Sequence, residues 1–394
     1  MNLKLHWNTP NRLLLGPGPS DAHPRVLRAM ATPLLGHLDP AFLTLLNETQ
    51  ELLRQVLGTT NPLTLPISAT GMAGMETCLV NLAEKSERIL IFRKGFFGSR
   101  MVEIAQRVGG EVVVIDAPWG EVFSLETIEA AIVAHKPQIV GIVHAENSTG
   151  AQQPLEGIGE LCHRYGALLL VDAVTSLGCT PINMDENEID ALYSCTQKGL
   201  GCPPGLSPVS FSPRAAEKIA KRTTKPQSWY FDLQLINNYV AGDRLYHHTA
   251  PISMIYALRE GLAIVLEEGL ETRYQRHRLN HLALKAGLTA LGCQYSANPE
   301  HGLPQLNAVY IPAGVNDVEF RKQLLNYFGI EIGGGLGEFK GKVWRIGLMG
   351  YNSKPAAVYS LLNAMEVLLL NAGISIIAGS ASAAATKVYA EQMK

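Results

Sequence analysis

From about residue 60 to residue 212 the chain alternates short apolar runs with stretches of helical periodicity. ILIF (89–92), EVVVID (111–116), IVGIVHA (139–145), ALLLVDAV (167–174) and PVSFS (208–212) are near-continuously apolar and read as strands buried on both faces. Between them, SLETIEAAIVAHK (124–136) and LEGIGELCHRYG (155–166) space their apolar residues as helices do, with Ser124 a candidate N-cap and Gly166 a candidate stop. Such alternation predicts an α/β fold with a mainly parallel sheet covered by helices, and ligands that bind beyond the carboxyl ends of the strands. Asp172, Asn147 and Lys198 fall there.

At 394 residues the chain is long enough for a large domain and a smaller one. An arm ends in GPGPS (16–20), and Asp39-Pro40 opens a helix as N-cap and first helical position. After the helical stretch ISMIYALREGLAIVLEEG (252–269) the sequence turns basic in ETRYQRHRLNH. These signals divide the chain into an N-terminal arm over 1–20, a large domain over 21–268 and a small C-terminal domain over 269–394. LLNAMEVLLLNAGISIIAG (361–379) is interrupted by Asn363, Glu366 and Asn371, so it reads as a helix followed by a strand or loop and not as a membrane span. A formal charge of −2 with no long run of one sign offers no nucleic-acid face. No basic start with an apolar core opens the chain, and its six cysteines lack CxxC spacing; reduced, buried thiols in a cytoplasmic protein are expected.

Lys198, in LYSCTQKGLG (192–201), is the one cation of a small, uncharged stretch. A lysine in an apolar cleft loses hydration, its pKa falls, and the neutral amine becomes a nucleophile toward carbonyls. Asp172 follows four apolar residues at a strand end, where it serves either as a loop-fixing cap or as the partner of a buried cation. Thr70 and Gly71 lie where a strand ends and a helix begins, which makes either a plain tight turn or an anion cradle. Anion cradle, buried Asp, then lysine is the order a pyridoxal-phosphate enzyme requires. Arg345 in KVWRIGLMG (342–350) reads either as an exposed strand arginine or as a bidentate grip on a carboxylate. His247-His248 is better suited to packing or hydrogen bonding than to chelation, and no metal-binding motif is present.

LLLGPGPS (13–20), NPLTLPIS (61–68), HAENSTGAQQPLEGIGELCHRY (144–165), LLLVDAVTSLG (168–178), LYSCTQKGLGCPPG (192–205), RLYHHTAPIS (244–253) and GGLGEFKGKVWRIGLMG (334–350) together carry a family resemblance over nearly the whole chain. The sequence resembles the class V, fold type I, pyridoxal-phosphate aminotransferases, above all the alanine–glyoxylate and serine–glyoxylate group. The resemblance implies Lys198 as the Schiff-base lysine and Asp172 as partner of the pyridine nitrogen. It implies Thr70, Gly71 and Gln197 at the phosphate, Phe97 stacked on the ring, and Asn147 near the phenolic oxygen, with Met72 and Val174 also at the cofactor. Tyr246 and Thr249 are implied to reach the phosphate of a neighbouring subunit, so that a homodimer shares its sites. Arg345 is implied to bind the substrate carboxylate, with Ser176 and the backbone at Gly18 nearby. Phe97 and Met72 stand where better-known relatives have Trp and His. The implied activity is ping-pong transamination from alanine or serine to glyoxylate. A 3-hydroxykynurenine donor and a lyase such as cysteine desulfurase are the alternatives.

Overall fold

Seven strands form the central sheet of a computed structural model that describes residues 9–241 and 243–392. They are β1 (Leu63–Ile67), β2 (Arg88–Arg93), β3 (Glu111–Asp116), β4 (Ile139–Val143), β5 (Leu168–Asp172), β6 (Ala191–Tyr193) and β7 (Ser207–Phe211). Their order across the sheet is β1-β7-β6-β5-β4-β2-β3, with only β7 antiparallel to its neighbours. The expected strands are all present. The exception in burial is β3, read as covered on both faces but half-buried over Val112–Ile115 and exposed at Glu111 and Asp116. It lies at one edge of the sheet, and an edge strand packs against a neighbour on one side only; β1, at the other edge, is buried from Thr64 to Ile67.

Helices cover the sheet at the expected places, except for the one over residues 96–107, which no motif marks. α1 (Pro40–Leu57) starts at Asp39, whose carboxylate accepts the Ala41 N–H at 2.8 Å. α2 (Gly71–Leu82) follows β1, and α3 (Phe96–Arg107) follows β2. Ser124 caps α4 (Leu125–His135) through the Thr127 N–H, and α5 (Ile158–Arg164) ends before Gly166 at a φ of +76°. One buried cluster, from Val26 to Val265, fills both faces of this sheet.

Gly269 separates α6 (Ile252–Glu268) from α7 (Leu270–Ala290). A second apolar cluster gathers Leu15 with residues between Ala283 and Ala385, around the antiparallel sheet β8 (Leu306–Tyr310), β9 (Gly333–Gly334) and β10 (Val343–Gly347). The arm reaches this cluster because Leu13 and Leu14 pair in parallel with Ile330 and Glu331. Residues 1–8 of the arm lie outside the described residues. The apolar stretch near the C-terminus is the helix Pro355–Asn371 followed by a loop, and no described helix is long and apolar enough to cross a membrane. All six cysteines are free and buried.

Three buried histidines tie stability to pH. Burial lowers His144 and His277 to about 3 and His281 to about 4, from an ordinary 6.5. His277 shows why: its Nδ1 donates to the Arg273 carbonyl, and its Nε2 accepts the Gly350 N–H at 3.0 Å, a bond a second ring proton destroys. As pH falls from 6.5 toward 4 the unfolded chain binds protons that the folded chain refuses. Each histidine then removes about 1.4 kcal/mol per pH unit. Asp172, which burial raises to about 6, works in the opposite sense below that pH, by one proton against three. The apo-protein is therefore expected to melt at progressively lower temperature from pH 7 to pH 4; a flat melting temperature over that interval would contradict this.

Candidate active site

The carboxyl ends of β5 and β6 place the two ionisable groups on which the site turns. Asp172 is the last residue of β5 and pairs in register with Tyr193, the last of β6. Its Oδ2 accepts the Tyr193 hydroxyl at 2.7 Å and its Oδ1 accepts the Val174 N–H at 2.8 Å. Burial nevertheless raises its pKa to about 6, against those two bonds and the nearby Lys198 charge. A loop of four residues then carries the chain from β6 to Lys198.

Lys198 is 7% exposed, and burial lowers its pKa to about 8, with Arg345 pushing the same way and Cys195 and Asp172 pulling it up. Its Nζ donates to the Pro17 carbonyl at 2.5 Å. Gly18 packs directly on this side chain: a Cβ there would stand 3.0 Å from Lys198 Cε, and φ is +109°. The GPGPS motif is thus the wall of the lysine pocket.

Asn147 shares that wall. Its Nδ2 donates to the same Pro17 carbonyl at 3.0 Å and to Thr175 Oγ1 at 3.3 Å, while its Oδ1 accepts from Arg345 Nη1 at 2.8 Å. Arg345 lies on β10, is 8% exposed, and its Nε donates to the Gly334 carbonyl at 2.8 Å. The exposed-strand reading of this arginine therefore fails. Burial pulls its pKa down to about 10, with Glu146 supplying the opposing charge.

Thr70 is the N-cap of α2 but makes no side-chain capping bond. Gly71 packs so closely on the β6–Lys198 loop that a Cβ would meet that of Cys195 at 2.8 Å, with Val174 next at 3.5 Å. This brings the helix start to the Asp172–Lys198 cluster. Gln197 Oε1 and Ser176 Oγ are buried and lack a hydrogen-bond partner among the described residues. Phe97, in the first turn of α3, is half-buried, and Met72 is 37% exposed.

Tyr246 and Thr249 stand apart. Tyr246 is 63% exposed, and among the described residues its hydroxyl meets Thr249 Oγ1 alone, at 3.4 Å. Their loop is nonetheless anchored to the foot of the Thr70-Gly71 turn. His247 Nε2 lies 3.4 Å from the Trp229 carbonyl, His247 Nδ1 lies 2.7 Å from His248 Nδ1, and His248 Nε2 lies 2.7 Å from Ser68 Oγ. A carbonyl only accepts, so with both rings neutral each proton has one place: Ser68 donates to His248, His248 to His247, and His247 to Trp229.

The profile of the family Aminotransferase class-V matches residues 15–355. The chain belongs to the class-V aminotransferases. This aminotransferase is 51% identical to the crystal structure of an alanine–glyoxylate aminotransferase from Nostoc sp., with a TM-score of 0.92 over 94% of this chain and 98% of that one. It is 43% identical to the crystal structure of a ureidoglycine–glyoxylate aminotransferase from Bacillus subtilis, with a TM-score of 0.96 over 97% and 99%. It is 44% identical to the alanine–glyoxylate aminotransferase of Rattus norvegicus over 87% of this chain and 84% of the relative.

Four contributors to the aminotransferase site escaped the sequence reading: Tyr193, Pro17, Thr175 and Glu146. Glu146 carried a usable signal, a polar group at the end of an apolar run, whereas the role of Tyr193 depends on strand register. The other two lie in the quoted segments GPGPS and LLLVDAVTSLG, but they act through a backbone carbonyl and a loop hydroxyl, roles that residue type does not announce.

Proposed function

We propose that this enzyme transfers the amino group of alanine or serine to glyoxylate with pyridoxal phosphate, by ping-pong kinetics, as a homodimer. We take the large domain to close near residue 268 and the small one to begin at 269. The observation that carries the reading is one continuous set of contacts, from Lys198 Nζ through Pro17 and Asn147 to Arg345, beside a buried carboxylate. The residues fit that cofactor. Asp172 suits a protonated ring nitrogen, and the start of α2 with Thr70, Gly71 and Gln197 suits a phosphate. Ser176 has an unpartnered hydroxyl to offer, and Phe97 and Val174 offer apolar contact.

When bound, pyridoxal phosphate supplies an aldehyde that captures amines and a ring that draws electrons from the substrate's α-carbon. Lys198, whose amine burial brings down to a pKa of about 8, would be the group that takes the substrate's α-proton and returns it. Asp172 would keep the ring-nitrogen proton in place. Arg345 retains one Nη1 hydrogen and its Nη2 group for the substrate carboxylate, and Asn147 fixes its plane. Among the described residues one such clamp stands in the site, which favours small monocarboxylates. Leu34, Leu38, Trp229, Leu245 and Tyr246 are exposed apolar residues, of which Tyr246 lies against His37 at 5.4 Å between rings. We take this face to meet a second copy, offering Tyr246 and Thr249 to its phosphate.

A desulfurase needs a mobile, ionisable thiol. Cys293, the one cysteine beyond residue 202, is 4% exposed, and burial raises it to about 12. The test is one preparation, sized by ultracentrifugation and assayed with alanine, serine, (S)-ureidoglycine and 3-hydroxykynurenine against glyoxylate. A dimer turning over fastest with alanine or serine is expected. Fastest turnover with either other donor replaces the donor assignment, and absence of glycine formation overturns the acceptor.

A further inference from the structure

We propose that Glu146 is a positioning residue of the reaction, a single buried carboxylate that sets both the aromatic Phe97 and, through the adjoining Asn147, the clamp Arg345. The proposal rests on the roles given above to Phe97 and Arg345. Glu146 is fully buried on a two-residue strand, Ala145–Glu146, just beyond β4. Its Oε1 accepts the Ser148 hydroxyl at 2.5 Å, the Ser148 N–H at 3.1 Å and the Phe97 N–H at 3.4 Å. Its Oε2 accepts the Gly98 N–H at 3.3 Å. Ser148 Oγ in turn accepts the Phe96 N–H at 2.9 Å.

The first three amide donors of α3 are therefore taken by Glu146 and Ser148, from a different part of the chain. A negative charge is seated at the positive end of that helix. The approach is close enough to need a glycine: a Cβ on Gly95, the N-cap of α3, would stand 2.4 Å from Glu146 Cδ and 2.6 Å from Ser148 Oγ.

Asn147 lies between those two capping residues in sequence, and its side chain holds Arg345 and the Pro17 carbonyl. The three residues thus connect the helix that carries Phe97 to the wall of the lysine pocket and to the substrate arginine. The same carboxylate is a counter-charge for Arg345 and for Lys94, a 1%-exposed lysine whose Nζ donates to the Ala151 carbonyl at 3.2 Å. Neutralising Glu146 withdraws a buried partner from both cations and presents an amide N–H to one of the α3 donors. Displacement of a positioning group by about 1 Å costs about 100-fold in rate.

Full-length Glu146→Gln, loaded with pyridoxal phosphate, tests the proposal. The visible circular dichroism of the bound cofactor is expected to weaken or change sign. KM for the oxo acid is expected to rise while kcat falls, with kcat/KM down about 100-fold. Arg345→Ala is the comparator: KM rises there, but the dichroism keeps the wild-type form. Glu146→Gln that melts earlier yet keeps wild-type dichroism and KM has lost only a structural cap, and this overturns the proposal. If Glu146→Gln does not fold, Ser148→Ala removes the Phe96 bond and leaves the charge. A changed dichroism in that variant supports the proposal and an unchanged one overturns it. Wild-type protein that takes up no pyridoxal phosphate fails the functional reading itself, and this proposal falls with it; a loaded wild type matched by Glu146→Gln fails the proposal alone.

Discussion

Lys198→Ala is expected to abolish transamination while leaving the fold intact. The amine combines burial, a pKa lowered to about 8 and a bond to the Pro17 carbonyl, which also accepts from Asn147, the partner of Arg345. Lys94, also buried and lowered to about 8, donates to the Ala151 carbonyl instead. A positioned acid–base group contributes up to about 10⁴-fold, and under the proposed function the same nitrogen would also anchor the cofactor. The loss should therefore reach at least that figure in kcat. Truncation leaves only the Pro17 carbonyl without its donor, and that carbonyl still accepts from Asn147 at 3.0 Å, so melting should change little. Added methylamine should restore part of the rate, because a free amine can enter the space of the missing side chain. The measurement is steady-state turnover with the far-ultraviolet dichroism as a control for folding. A folded variant that keeps turning over removes Lys198 from the chemistry.

The central sheet was legible because strands covered on both faces must be apolar throughout, and few other elements give runs like ALLLVDAV. The single antiparallel strand, β7, was not legible: strand direction leaves no mark on an apolar run. Nor did the sequence show β3 to be an edge, since apolar content reports burial only on average.

Within the site, Lys198 and Asp172 stood out as isolated polar groups in apolar surroundings, which is a local property. Tyr193 did not, because its bond to Asp172 depends on register between β5 and β6. Lys94 was hidden for a different reason. Arg93-Lys94 looks like an exposed basic pair, yet successive residues at a strand end turn to opposite sides. Arg93 reaches out to Asp116 at 2.5 Å, and Lys94 turns into the core. Tyr246 and Thr249 mark the limit of a single chain, since their implied target lies on another copy.

Asp172→Asn separates two contributions that the native carboxylate combines. Asparagine has the same shape; its oxygen can still accept the Val174 N–H, and its amide can donate to the Tyr193 oxygen, so both existing contacts have a replacement. The charge is lost, and with it the acceptor that the Tyr193 hydroxyl proton has in the native site. Removing one partner of a buried ion pair costs about 3–5 kcal/mol, which at about 1.4 kcal/mol per tenfold corresponds to a fall in kcat of about 100- to 5,000-fold. Stability should move the other way. A carboxyl raised to about 6 in the fold and ordinarily near 3.8 opposes folding once it is ionised, so the burden is full above pH 6 and vanishes below 3.8. The apo-variant is therefore expected to melt above the wild type at pH 8 and together with it near pH 4. A slower, more stable enzyme identifies Asp172 as a charge kept for the reaction at the expense of the apo-fold. Unchanged kcat would show instead that the cofactor's ring nitrogen takes its partner elsewhere.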